Sequence, residues 1–331
     1  MASRSKPSWA RASDEELLAL PFAELRLDVA RSPLAPLVAE LRDDLAARGL
    51  RFRPHVWFSS TWFAPDGVPG FALPFYLAHP RLVHLERRQM LEAEGASRPA
   101  ARRLLRHECG HALDTAFGLH RRASWRRTFG RYSEPYRPSY SARPGSPDFV
   151  THLPRWYAQS HPAEDWAETF AVWLGGGRRG LGAGARAKLA FVDELLTGLR
   201  GNKAALRLEE RTEEVATLRG TLGDHYRARR RRLEREPPPA FDRGLGRLFG
   251  AGTDGRRRRS AAGVLDGLAG AVARRVEADA YSVREALHML ALRARQRGLV
   301  APDRSVRAAE VAPLVERTLA SVRRGRTLLY R

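Results

Sequence analysis

Cys109 is the one cysteine among 331 residues, so no disulfide can form within the chain and a reducing compartment is expected. Lysine is nearly as scarce: of 58 basic residues, only Lys6, Lys188 and Lys203 are not arginine. No apolar run approaches the ~20 residues that a membrane-spanning helix needs, so no membrane association is expected. The opening MASRSKPSWARASDEELLAL carries early positive charge but lacks an apolar run followed by a small-residue cleavage site, the pattern of a secretory signal. These absences together point to the cytoplasm. No internal repeat is evident either.

What remains is a globular composition, 43% hydrophobic, in a chain long enough for two domains. The formal net charge is +21, and it is uneven. Residues 201–331 hold 29 basic and 16 acidic groups, against 29 and 21 in residues 1–200. A division into residues 1–200 and a basic, mainly helical region, residues 201–331, follows from that asymmetry. Two arginine clusters, Arg227 with Arg229–Arg232 and Arg256–Arg259, are of the kind that contacts phosphate. A nucleic-acid partner would be sought there, although no nucleic-acid-binding motif surrounds the clusters and a solvated helix face is the alternative. The arginine-over-lysine skew, with abundant Ala, Gly and Pro, also fits a GC-rich coding bias.

Periodicity predicts a mostly α chain with a small sheet in its first third. Leu37, Val38, Leu41 and Leu45 recur at helical spacing within 33–49, and Gly49 stands where that helix should stop. His55–Phe58 reads as a short strand. After a turn at Pro65-Asp66-Gly67 comes a second strand-like run, Gly70–Leu77, placed at a sheet edge because Pro74 cannot donate to a ladder. Such an edge would suit an extended peptide adding as a strand. Helices are predicted over 80–94, 100–117, 162–174, 184–199, 203–235, 261–276, 282–297 and 307–324. Apolar stripes at Val283, Ala286, Leu287, Leu290 and at Val311, Leu314, Val315, Leu319 suggest a packed helical domain at the end. Residues 131–150, rich in Pro, Ser and Tyr, read as a long ordered loop, with Tyr132, Tyr136 and Tyr140 stapling it or lining a pocket.

The segment with the most chemical content is His107-Glu108-Cys109-Gly110-His111. Histidines at i and i+4 project from one helical face and can reach one metal ion. The glutamate beside the first histidine then lies near an open coordination position, where it can take a proton from a water. Cys109 is expected to be a small buried residue, and Gly110 to let another backbone pass close to the helix. Asp114, three residues after His111 and seven after His107, can orient a ligand imidazole through its other ring nitrogen; a solvent-facing aspartate is the alternative.

Two histidines do not complete a site. The metzincin extension needs Gly and His three and six residues after the second histidine, and this chain has Asp114 and Phe117 there. His120 lies more than two turns away, at a helix end. A better source is Tyr157–Phe170, where Pro162 suits a first helical position. Ala163, Trp166, Ala167, Phe170 and Leu174 form a buried stripe. Glu164 and Glu168 lie one turn apart at its margin, placed either to meet a metal or to face solvent. His152 and His161 read as surface or capping residues.

HExxH on one helix with a glutamate on a later helix resembles the gluzincin pattern of zinc metallopeptidases. RHECGH followed by YAQSHPAEDWAETFAVWL is similar to bacterial zinc-binding metallopeptidase families over roughly residues 50–176. The E-x-x-x-E spacing also resembles that of the anthrax lethal factor catalytic domain. The resemblance implies a zincin-like core, with one Zn2+ per chain held by His107, His111 and Glu164, and a protein or peptide substrate. It makes Glu168 the carboxylate that orients a histidine, and Tyr157 a residue near the reacting carbonyl. Thermolysin-like members carry Asp where this chain has Glu168, a departure at that position. The last third of the chain lies outside the resemblance. The expectation is therefore an α+β, mostly α, zinc-dependent peptidase in which Glu108 activates water. The alternatives are a metal-binding protein that is latent or does not cleave peptides, and a nucleic-acid-associated protein acting through its arginine-rich region.

Overall fold

Ser13 and Glu16 close a capping box over helix α1 (Asp14–Ala19): the Ser13 N–H donates to the Glu16 carboxylate at 2.6 Å, and the Glu16 N–H to the Ser13 hydroxyl at 3.2 Å. Such reciprocal bonds satisfy two of the amide groups that a helix start leaves unpaired. The computed structural model describes residues 7–177, 180–204, 206, 212–234, 240–251, 259–325 and 329–330. Helix α2 (Ala35–Ala47) buries Leu37, Val38, Leu41 and Leu45, and Gly49, at φ 77°, takes the left-handed turn that ends it.

Strands β1 (His55–Ser59) and β2 (Gly70–Pro74) pair in parallel, with His55 opposite Gly70 and Ser59 opposite Pro74. The strand-like run is thus shorter than predicted. It stops at Pro74, and Phe75–Ala78 form a 3-10 turn. β2 does lie at the edge of this two-stranded sheet, but the edge is not open. All five of its residues are buried, and the Ala72 N–H donates to the Phe63 carbonyl at 2.8 Å on the side away from β1. Strand addition of a peptide would need that donor free.

Helix α3 (Pro80–Met90) ends where Leu91 turns left-handed at φ 68°. Helix α4 (Arg98–Phe117) starts at a Ser97 cap and stops at Gly118, φ 59°; α5 (Ala123–Phe129) follows. Residues 131–150 hold no helix, only the short strand β3 (Ser139–Tyr140). Next come α6 (Pro162–Gly175) and α7 (Ala183–Thr197). Among the described residues of the helix expected over 203–235, only α8 (Leu222–Glu234) takes regular α form. Before it the described residues give a 3-10 turn at Val215–Thr217 and left-handed Glu213 and Gly220. Pro237, Pro238 and Pro239, which follow α8 in the sequence and cannot continue it, lie outside the described residues.

The remaining elements are α9 (Asp242–Leu248), β4 (Gly250–Ala251), α10 (Ala261–Ala273), α11 (Ala280–Gln296), β5 (Leu299–Val300), α12 (Ala308–Arg323) and β6 (Leu329–Tyr330). β3 pairs with β6 and β4 with β5, both antiparallel. The chain is mostly α with small two-stranded sheets, and the sheets are not confined to its first third.

Two compact units result. The first takes the described residues of Met1–Tyr132, Trp166–Leu181 and Ala185–Glu236; the second takes those of Ser133–Asp165, Gly182–Gly184 and Pro237–Arg331. The described part of 201–236 thus packs with the first unit. In that unit α2 and β2 pack on α4. Leu45, Phe71, Leu73, Leu105 and Leu113 are all buried there. In the second, α10, α11 and α12 pack together, and both predicted stripes lie in their common core. Among the described residues no helix is long and apolar enough to cross a membrane.

Candidate metal centre

Helices α4 and α6 come together at Gly110. A Cβ built there would lie 3.0 Å from the Ala167 Cα and 3.0 Å from the Phe170 ring, so the glycine does admit a second backbone. The Trp166 indole N–H donates to the Gly110 carbonyl at 2.8 Å, and Trp166 is fully buried near Trp125 and Phe129. Removing such a side chain typically costs ~3–5 kcal/mol, which fixes the register of α6 against α4.

That register sets the site. His107 and Glu168 are 2% and 0% exposed, and the His107 Nδ1 lies 2.8 Å from a Glu168 carboxylate oxygen. The His107 Nε2 lies 3.2 Å from the His111 Nε2, with the two rings at 76°. Glu164, one turn before Glu168 on the same helix, offers a carboxylate oxygen. The ligand atoms of His107, His111 and Glu164 all lie within 4.8 Å of one another. Tetrahedral zinc with bonds of ~2.0–2.1 Å sets its ligand atoms ~3.3 Å apart, close to the spacing of the two Nε2 atoms. Two imidazole nitrogens and one carboxylate are also the donor set that zinc takes when one position stays open. The residues fit the ion.

Glu108 is buried at 6% exposure in the turn between the two histidines. Cys109 is fully buried, and burial pushes its thiol well above the usual range, so it is no nucleophile. Asp114 is also buried, but its carboxylate is engaged by His120: one oxygen accepts from the His120 N–H at 2.8 Å, and the other lies 2.7 Å from the His120 Nδ1. Burial pushes the Asp114 carboxyl up, while His120 opposes the rise. Asp114 therefore joins the helix end to the chain after it. His120 in turn stacks on Tyr132 at 4.1 Å.

Tyr157 lies in the 3-10 segment Pro154–Gln159, half-buried against the core of the second unit, with its ring 6.3 Å from that of Tyr140. The turn before it went unseen in the sequence. Arg155 (φ 63°) and Trp156 (φ 55°) are both left-handed, a conformation that costs ordinary residues roughly 1–2 kcal/mol each. No local pattern announces it, because arginine and tryptophan have no preference for that region. His161 is a capping residue but not a surface one. At 6% exposure it accepts from the Ala163 N–H through Nδ1 at 3.1 Å, and its Nε2 lies 2.8 Å from the Glu134 carbonyl. A histidine followed by Pro162 was the available signal for that cap. Asp165 and Thr169, buried on α6 at 2% and 0%, were not singled out at all. Of the three loop tyrosines, Tyr140 is buried, Tyr132 bonds to Asp66, and Tyr136 stacks on His161 while remaining 53% exposed.

A family model described as "Putative zinc-binding metallo-peptidase" matches residues 98–175, the span from the start of α4 to the end of α6. No curated protein and no solved structure matches the chain. The match and the His107–His111–Glu164 cluster together support a zinc metallopeptidase at that level of description.

Proposed function

We propose that the chain is a gluzincin-type zinc peptidase that hydrolyses peptide bonds in protein or peptide substrates, with one zinc ion per chain held by His107, His111 and Glu164. The observation that carries this is the convergence of those three ligand atoms within 4.8 Å, with a buried carboxylate behind the first histidine. A bound zinc would supply a Lewis acid that polarises the scissile carbonyl and brings a water's pKa towards ~7.

The chain's own residues do the rest. Glu108, buried beside His107, accepts the proton of the attacking water and hands it to the departing amine. Glu168 holds the His107 imidazole with its N–H on Nδ1, leaving the Nε2 lone pair for the metal. The Tyr157 hydroxyl hydrogen-bonds to the carbonyl oxygen as negative charge develops there, keeping its proton. The one cysteine, buried, fits a reducing compartment such as the cytoplasm.

The test is elemental analysis of the purified chain together with mapping of new N-termini in a digested lysate. Wild type should hold one zinc and cleave. Glu108→Gln should keep the zinc and lose hydrolysis by ~100-fold or more. Zinc far below one per chain would overturn the metal assignment. Full zinc with no cleavage would instead leave a metal-binding protein that is not a peptidase.

A further inference from the structure

The left-handed turn at Arg155–Trp156 is held chiefly by one helix, α11. Glu285 on α11 accepts from the Arg155 N–H at 2.8 Å. The Tyr281 hydroxyl accepts from the Trp156 N–H at 3.2 Å and donates to the Leu153 carbonyl. The Ser282 hydroxyl accepts from the Trp156 indole at 3.3 Å. Ser282 is itself aimed: its hydroxyl donates to an Asp279 carboxylate oxygen at 2.6 Å, which leaves a lone pair for the indole. A further bond runs from the Tyr140 hydroxyl to the Arg155 carbonyl at 3.0 Å. Trp156 is 2% exposed, so the turn is anchored as well as bonded.

Two consecutive left-handed residues that carry a Cβ persist only where their surroundings over-determine them, and such strain concentrates at functional sites. Here the strained pair leads directly into Tyr157. The Tyr157 carbonyl then accepts from the Ser160 N–H at 2.9 Å, and His161 caps the helix that bears Glu164.

We propose that Tyr281, Ser282 and Glu285 are positioning residues of the active site: they hold Arg155 and Trp156 left-handed and so fix the presentation of Tyr157 and the entry into α6. This assigns α11, beyond the family match, a part in catalysis. It rests on the peptidase reading above. The three residues act through Tyr157 and touch no reacting atom themselves.

The test uses the full chain and a fluorogenic peptide built from a wild-type cleavage site. Tyr281→Phe, which removes a donor and an acceptor at once, should lower kcat by about tenfold with KM and zinc content unchanged. Glu285→Ala should do the same, whereas Glu285→Gln, which keeps an acceptor for the Arg155 N–H, should stay near wild type. Adding Arg155→Gly to Glu285→Ala should restore much of kcat, since glycine is unstrained at that φ. Tyr157→Phe should cost little further in the Tyr281→Phe background, because the two act in one chain of effects. Should Tyr281→Phe fail to fold, the Glu285 pair and its glycine rescue carry the same comparison. An active wild type whose kcat is unmoved by Glu285→Ala, or multiplicative losses from Tyr157→Phe and Tyr281→Phe, would overturn the proposal. A wild type that binds zinc and cleaves nothing would overturn the peptidase reading, and the positioning role with it.

Discussion

Glu168 meets the Nδ1 of His107 at 2.8 Å, with both side chains buried, and that contact decides which nitrogen is left for a metal. A neutral imidazole carries one N–H. Held at Nδ1 by the carboxylate, it leaves the Nε2 lone pair directed to where the His111 Nε2 lies, 3.2 Å away. On the proposed reading both nitrogens are ligands of one zinc ion. The pair thus links a structural hydrogen bond to metal affinity.

Glu168→Ala should therefore weaken zinc binding by about 10–100-fold, the usual cost of losing such a partner, while the chain still folds. Glu168→Gln, which can accept but carries no charge, should fall between. Competition with a chromogenic chelator measures both. An unchanged affinity in Glu168→Ala would show that His107 needs no orienting carboxylate.

Gly110→Ala tests the approach of α4 and α6. Alanine in a helix interior gains ~1 kcal/mol over glycine. Its Cβ, however, would lie 3.0 Å from the Ala167 Cα, where the neighbour is backbone and cannot rotate away. Overpacking of this kind costs ~1–3 kcal/mol, so the net effect should be destabilising. Because the forced shift moves Glu164 and Glu168 together, zinc affinity should fall as well. Urea unfolding and chelator competition on the same variant check both halves; a more stable protein with full affinity would contradict the close-packing argument.

The helices of the site were legible because their ends are written in local chemistry. Ser97 and Pro99 open α4, Gly118 closes it, and Pro162 opens α6. Spacing also put Glu164 and Glu168 on one face, but spacing cannot say which of them meets His107; only the packing of α6 against Gly110 does. Asp114 shows the same limit from the other side. Its position on the helix pointed to the histidines, but spacing could not show that the reversal at Gly118 brings His120 onto the same carboxylate. The turn at Arg155–Trp156 was invisible, since the bonds that enforce it come from residues about 130 positions later. Among the described residues before α8, Glu213 and Gly220 take left-handed φ where the sequence predicts a continuous helix, and Gly220 is a residue whose backbone adopts that conformation without strain.

His225 should make the first unit acid-sensitive. Burial, with Arg229 adding to it, pulls the His225 pKa down from 6.5 to about 4. Its ring lies edge-on to Phe22, Phe75 and Tyr226, and its Nε2 is buried without a partner. The fold thus favours the neutral form, and the unfolded chain binds more protons between about pH 4 and pH 6.5. The stability contributed is complete above that window and is lost as pH falls through it, by at most about 3 kcal/mol. His225→Phe should flatten this slope. Urea midpoints at pH 7 and pH 4.5 for both proteins give the comparison, and parallel slopes would exclude His225 as the group responsible.

The arginine run on α8 should divide into structural and dispensable members. Arg229 pairs at 2.7 Å with Glu86, which is only 1% exposed, and Arg230 bonds to Gln89 one turn further along α3. Arg231 is exposed, and among the described residues no ion pair involves it. Removing Arg229 strands a buried carboxylate whose acid form burial already favours. Arg229→Ala should therefore cost about 1–3 kcal/mol, and Arg231→Ala less than about 0.5 kcal/mol. Unfolding midpoints of the two variants check the contrast, and equal midpoints would reduce the Glu86 pair to an ordinary surface contact. The contrast also bears on any nucleic-acid role for this stretch. A binding loss in Arg229→Ala would report a loosened α3–α8 contact, so Arg231→Ala is the variant in which a weakened, less salt-dependent affinity would count as phosphate recognition.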